Sequence, residues 1–430
     1  MASNNTVAAS IPSEKNTGTS RSIIMIGILF FIFGFVTWLN SVLIPYLKIS
    51  CELNNLESFM VAFSFYISYL VMAVPSAKVL KFTGFKKGMS LGLGVMAGGA
   101  LIFIPAALSR TYGLFLLGLF TQGIGLAILQ TAANPYIIIL GPRESAAQRI
   151  SIMGICNKFA GAVAPIILGT IALKNVDPLV ARLDSMSLTQ KKIELDALAS
   201  RVIVPYLIMA GVLVLLAVWI YLSSLPEVDT DQEDETVAKA NTNKKSVFQF
   251  PHLLIGTLTM FLYVGVEVLA GDSVVLYAKS QGIALSSAKF FATATMSGMI
   301  VGYLVGIIAI PKYVTQEKAL KISAIVGLVM VSISLFTHGF VSVLFISLLG
   351  LANALMYPAI FPLAIAGLGR FTKIGSSFLI MALSGGAIIS LLFGYLADVF
   401  SPHHAYWIVV PCYLVILYFA VKGHQLKKAH

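Results

Sequence analysis

Apolar runs of about twenty residues recur from end to end of this chain, broken by short polar turns. They fall at 23–47, 57–80, 88–108, 112–140, 149–173, 202–224, 252–278, 288–310, 320–338, 340–367, 376–399 and 404–422. At 1.5 Å per residue such a run matches the ~30 Å hydrocarbon core of a bilayer. The ~10-residue alternating segments of a transmembrane barrel are not the pattern here. The spacing therefore predicts an all-α membrane protein of twelve transmembrane helices. One long polar interruption, LPEVDTDQEDETVAKANTNKKS (225–246), divides the runs six and six and reads as a solvated linker. The expected organisation is a tail over 1–22, a six-helix bundle over 23–224, a linker over 225–250, a second bundle over 251–422 and a tail over 423–430. No small-residue cleavage site follows the first run, so it reads as a retained helix rather than a signal peptide.

The two halves echo each other. AGAVAPIILG (160–169) parallels GGAIISLLFG (385–394), and Ala133-Asn134-Pro135 is answered by Met356-Tyr357-Pro358, each followed by a basic turn. Small residues let helix backbones approach closely, which explains either match alone. Two matches in the same order read as a repeat.

Composition strengthens the membrane reading: 58% of the 430 residues are hydrophobic and 11% charged, against roughly 25% charged in soluble domains. The net charge of +11 is a topology signal. Lys and Arg collect in alternate turns (Lys78, Lys81, Lys86, Lys87, Arg143, Arg149, Lys312, Lys318, Lys321, Arg370, Lys373) and in both tails. By the positive-inside rule these lie in the cytoplasm, with both termini. Nothing resembles a concentrated basic domain for nucleic acid. Cys51, Cys156 and Cys412 show neither zinc nor disulfide spacing. There is no nucleophile elbow, HExxH or Walker loop, and glycine runs such as GLGVMAGGA (92–100) read as packing surfaces. An enzyme, a cofactor or ATP-driven transport thus has no support.

The candidate chemistry lies in polar residues inside the apolar runs. Lys158 interrupts GICNKFAGAVAPIILG (154–169). A charge near the midplane costs at least ~2.5–3.5 kcal/mol on insertion scales, so it calls for a wet cavity or a carboxylate partner. Glu267, the deeper acid of the seventh run, is the expected partner. Asp272, five residues on, would be turned by about 140° and shifted by about 7.5 Å along an α-helix. It is expected to face elsewhere, nearer the outer surface, in gating or at the interface. Gln130, Asn134 and Asn157 offer amides that suit sugar hydroxyls losing water. Asn40 and Ser41, placed close to the outer end of the first run, are further candidates. Trp38, Tyr136, Tyr263, Tyr277 and Tyr357 could stack on a pyranose face. His252, His338, His403 and His404 read as solvated interface residues.

FGFVTWLNSVLIPYLK (33–48), GALIFIPAA (99–107), GLAILQTAANPYIIILGP (125–142), RISIMGICN (149–157) and FLYVGVEVLAGD (261–272) resemble the fucose permease and glucose/galactose transporter family of the major facilitator superfamily. FTGFKKG (82–88) resembles a degraded form of the superfamily's loop-2 motif. The resemblance implies two six-helix bundles rocking about a central sugar site. In proton-coupled fucose permeases, acids in spans 1 and 4 carry the proton; the matching positions here are Ser41 and Gln130, neither of which titrates. The resemblance thus points to the glucose/galactose branch: a monomeric transporter of the bacterial inner membrane importing a neutral hexose. Sodium is favoured over the proton as coupling ion, held near Gln130, Ser41 and Glu267. Alternatives are an N-acetylhexosamine, mannose or fucose permease, proton-coupled or a uniporter with Lys158 as fixed charge, and, in another class, a membrane sugar sensor.

Overall fold

The computed structural model describes residues 15–139, 146–183, 185–223, 225, 246–310, 313–368 and 371–428. Among these every regular element is helical. Eleven helices are long and apolar enough to cross a membrane, and a bent pair makes a twelfth. In chain order the spans are Ser22–Ser50, Asn55–Ala73, Lys78–Ser109, Tyr112–Ala133, Ile152–Ala172, Leu188–Leu222, Pro251–Ser280, Leu285–Ala309, Gln316–Leu335, the pair Gly339–Asn353 with Met356–Ile365, Phe378–Val399 and Pro402–Val421, numbered 1 to 12 below. Odd spans run from the end that carries the 225–250 segment, here the linker end, to the far end; even spans return.

Local chemistry sets the breaks. Near the start of span 3 the helix kinks at Gly84, whose φ of 75° is open to glycine and strained for other residues. Span 10 bends by 40° at Ala354 and Leu355, where Pro358 lacks the N–H that would bond the Ala354 carbonyl. Span 7 departs from the α-helix at Leu269–Ser273, which forms a π turn. Two short helices, Val176–Leu183 and Leu188–Ser200, occupy the stretch between the fifth and sixth apolar runs, 149–173 and 202–224. The second runs into span 6 and is held by Tyr46, whose hydroxyl donates to the Leu198 and Ala199 carbonyls.

Across the two halves, span 2 packs against span 11 and span 5 against span 8. These contacts use the glycine stripes of the repeat. A Cβ at Gly394 would meet the Phe59 ring at 3.0 Å, and Phe59 stacks edge-on against Phe393 with centroids 5.2 Å apart. Thr293 Oγ1 of span 8 donates to the Ala162 carbonyl of span 5 at 2.9 Å.

Candidate functional site

Lys158 of span 5 meets Glu267 of span 7 across the two halves, Nζ to Oε1 2.5 Å. Both are buried, with 7% and 9% of their surfaces exposed. The ammonium also stands 4.3 Å from the centre of the Trp38 ring, a cation–π distance. Trp38 is wedged between the halves: a Cβ on Gly161 would come within 2.4 Å of its ring and one on Gly271 within 2.2 Å. Its Nε1 donates to Asn157 Oδ1, and Asn157 Nδ2 donates to the Phe30 carbonyl, both at 3.4 Å. These are long bonds, near the limit of useful strength. Tyrosines crowd Glu267: Tyr263, Tyr303 and Tyr357 from the same half and Tyr66 from span 2. The Tyr263 and Tyr66 hydroxyls complete no hydrogen bond.

Asp272 departs from the sequence expectation. It is fully buried rather than interfacial, and the π turn carries it round toward Lys158 and Glu267 instead of away from them. A π turn closes i to i+5, so residues five apart no longer diverge as on an α-helix. The Asn40 side chain of span 1 turns toward the Asp272 carboxyl, yet Asn40 Nδ2 and both carboxylate oxygens complete no hydrogen bond. Asn40 and Ser41, placed by the sequence close to the outer end of the first run, are packed inside the protein. Both are 1% exposed.

The sodium site expected of Gln130, Ser41 and Glu267 is not assembled. The Ser41 hydroxyl donates to the Trp38 carbonyl at 2.9 Å, Glu267 takes Lys158, and Gln130 lies against the Tyr69 hydroxyl. Asn134 is in the helix of span 4, but its side chain and that of Tyr136 lie outside the described residues. Tyr277 is remote from the cluster, bonded to Ser342 Oγ at 2.5 Å and His403 Nδ1 at 2.8 Å. His252 is 1% exposed and so is packed, not solvated; His403 is half-buried, its Nε2 donating to the Leu335 carbonyl, and His338 and His404 are exposed. The sequence reading missed Tyr66, Tyr69 and Tyr303. The available signal was the i, i+3 spacing of Tyr66 and Tyr69, which puts both on one face of span 2; their rings stack with centroids 6.3 Å apart.

At the far end the two halves are joined by carboxylates that cap helices of the opposite half. Asp398, ending span 11, accepts from the backbone N–H of Asn55 (2.9 Å) and Leu56 (2.7 Å) and from Asn55 Nδ2 (2.7 Å), at the start of span 2. Asp177, just past span 5, accepts from the N–H of Leu285 (3.0 Å) and Ser286 (3.2 Å), at the start of span 8. Span 8 begins at Ala284, which has no side-chain acceptor of its own. Burial would raise the Asp177 carboxyl, but the two N–H donors, the Ser286 hydroxyl and Lys279 at 3.6 Å bring it below the ordinary value. The two caps follow the internal repeat, spans 5 and 11 each supplying a carboxylate to spans 8 and 2.

Two six-helix halves arranged as a repeat about a buried charge pair match the architecture of membrane transporters built from parallel repeats. Residues 26–378 match the Major Facilitator Superfamily. The chain is 34% identical over 425 residues to a glucose/galactose transporter of Brucella abortus (strain 2308), covering 98% of each. It is 30% identical over 417 residues to the L-fucose-proton symporter of Escherichia coli (strain K12), covering 95% of each. In three dimensions it resembles the crystal structure of the transporter FucP in the outward conformation, with a TM-score of 0.71 and 29% identity over 94% of this chain and 98% of that one. The chain belongs to the major facilitator superfamily and, within it, to the family of glucose/galactose transporters and L-fucose-proton symporters. It is a multi-pass membrane protein, and its relatives are transporters, not enzymes.

Proposed function

We propose that this protein imports a neutral hexose by alternating access, in symport with protons, across the inner membrane of a bacterium. The observation that carries the reading is the Lys158–Glu267 pair, which bridges the two halves where Trp38, Asn157 and the tyrosines converge. Because the pair neutralises itself, it offers no net charge to an ionic substrate and suits an uncharged one. Trp38 and Tyr357 supply flat faces for a pyranose, while Asn157, through its two long bonds, and Gln130 supply amides to its hydroxyls. The names of the relatives, glucose/galactose transporter and L-fucose-proton symporter, support a hexose and favour the proton over sodium.

The linker end is assigned to the cytoplasm from the excess of Lys and Arg there. At the far end several bases are already paired with acids, Lys191 with Glu52 at 2.6 Å and Arg110 with Asp196 at 3.3 Å. With this orientation the capped far end is external, so the arrangement described is closed to the outside. The test is counterflow in proteoliposomes holding the purified protein, with radiolabelled glucose, galactose and L-fucose. Exchange of at least one, competed by the unlabelled sugar, is expected; exchange of none would refute a hexose substrate.

A further inference from the structure

Three ionisable side chains are buried together where spans 1, 5 and 7 meet: Lys158, Glu267 and Asp272. The single ammonium is committed to Glu267 at 2.5 Å and lies over the Trp38 ring. Asp272 has 0% of its surface exposed, and neither of its oxygens completes a hydrogen bond. The charged and titratable groups around it are Lys158, Glu267 and the Tyr66 hydroxyl, with the Asn40 amide opposite. One cation therefore faces two carboxylates. If all three were ionised, the cluster would hold an uncompensated negative charge out of water, and a buried carboxylate in that position neutralises itself by taking a proton.

We propose that Asp272 is the group that carries the coupled proton, and that the closed arrangement described here holds it as the neutral acid. The proposal rests on the reading of the chain as a hexose–proton symporter and adds the site of coupling, which the family's acids in spans 1 and 4 do not supply because Ser41 and Gln130 stand there. The chemistry is a protonation alone. An O–H bond forms on the Asp272 carboxylate when the cluster opens to water on one side, and the proton returns to water when it opens on the other. Nothing is oxidised or reduced. Asn40 is placed to serve both states, its carbonyl oxygen accepting from the acid and its amide N–H donating to the carboxylate.

Two features separate Asp272 from the other candidates. Glu267 already has its counter-ion, Lys158 Nζ at 2.5 Å, in the closed arrangement. A sodium ion would need several oxygens around it, whereas the Asn40 amide turns toward the carboxyl and no group of three His, Cys, Asp or Glu side chains placed to hold a metal occurs among the described residues. Gly271 beside Asp272 sits against Trp38, so withdrawal of the indole as the halves part would uncover the carboxyl.

The experiment compares the wild-type protein with Asp272→Asn and Asp272→Glu in proteoliposomes, with radiolabelled glucose, galactose and L-fucose. Exchange at equal sugar on both sides needs no net proton movement, whereas accumulation under an imposed pH gradient does. Asp272→Asn, which imitates the neutral acid, is expected to exchange sugar but to lose accumulation driven by the pH gradient, and Asp272→Glu to restore part of it. Infrared spectra of the purified protein at neutral pH supply a readout independent of transport. The carbonyl stretch of a protonated carboxyl is expected in the wild type and absent from Asp272→Asn. Undiminished pH-driven accumulation by Asp272→Asn, absence of that band from the wild type, or accumulation driven by a sodium gradient and not by a pH gradient would each overturn the proposal. A wild type that exchanges none of the sugars yet shows the band would instead refute the hexose reading on which the coupling role rests.

Discussion

Lys158 announces itself in the sequence because nothing else in 154–169 is charged, and a midplane ammonium requires a partner. The structure supplies Glu267 from the other half. Removing one member of a buried pair strands the other at a cost of about 3–5 kcal/mol, while replacing both by uncharged side chains of similar volume is far milder. Lys158→Met and Glu267→Gln should therefore each lower the unfolding temperature of the detergent-solubilised protein sharply, and the double variant should recover most of the loss. Additive losses would mean that the two residues do not stabilise each other. Trp38 is a second point of tight constraint. A methyl on Gly271 would sit 2.2 Å from its ring, and forcing extra bulk into a packed site costs about 1–3 kcal/mol. Gly271→Ala should accordingly destabilise the protein, whereas Gly211→Ala, where no atom lies within 4 Å, should not; thermal unfolding of both checks this. The partnership of Asp272 with this cluster was hidden in the sequence, because an ideal helical repeat sends it to another face and only the π turn returns it.

At the scale of elements, helix N-termini leave backbone N–H groups unbonded, and here the second half caps span 2 while the first half caps span 8. An N-cap is worth about 0.5–2 kcal/mol. Asp398→Ala and Asp177→Ala should each shift the molecule away from closure of the far end by roughly two- to thirty-fold if the caps form only when the halves meet. Distances between spin labels on Lys192 and Phe400, measured by electron paramagnetic resonance, report this; unchanged distance distributions in both variants would show that the caps do not hold the end shut. The Asp177 contact also has a defined pH window. Its carboxyl lies below the ordinary value of 3.8 when capped, so the stabilisation is complete above that value and is lost as pH falls through the lowered one. Closure of the far end should thus be indifferent to pH between about 5 and 8 as far as Asp177 is concerned, and any pH response there must come from another group. The sequence revealed the glycine patterning of spans 5 and 11 but not these caps, since the donors and acceptors are more than a hundred residues apart.

For the whole molecule, the charge asymmetry of the turns predicts that Asn5 and Glu235 face the cytoplasm and Lys192 the outside. Single cysteines at these positions, with Cys51, Cys156 and Cys412 replaced, should react with an impermeant reagent in intact cells only at position 192; labelling of position 235 from outside would invert the topology. The span count, the six-plus-six division and the family were readable from the sequence alone, because burial in lipid demands about twenty apolar residues for every crossing and the TAANP segment lies within one continuous stretch. Depth and partnership were not readable. The burial of Asn40 and Ser41, the helix over Leu188–Ser200 and the confinement of Asp272 all depend on how distant segments pack. Hydrophobicity is a property of each residue in its solvent and so is written along the chain. Which polar group finds a partner, and which is left without one, is a property of the packed assembly and was decided only when the two halves came together.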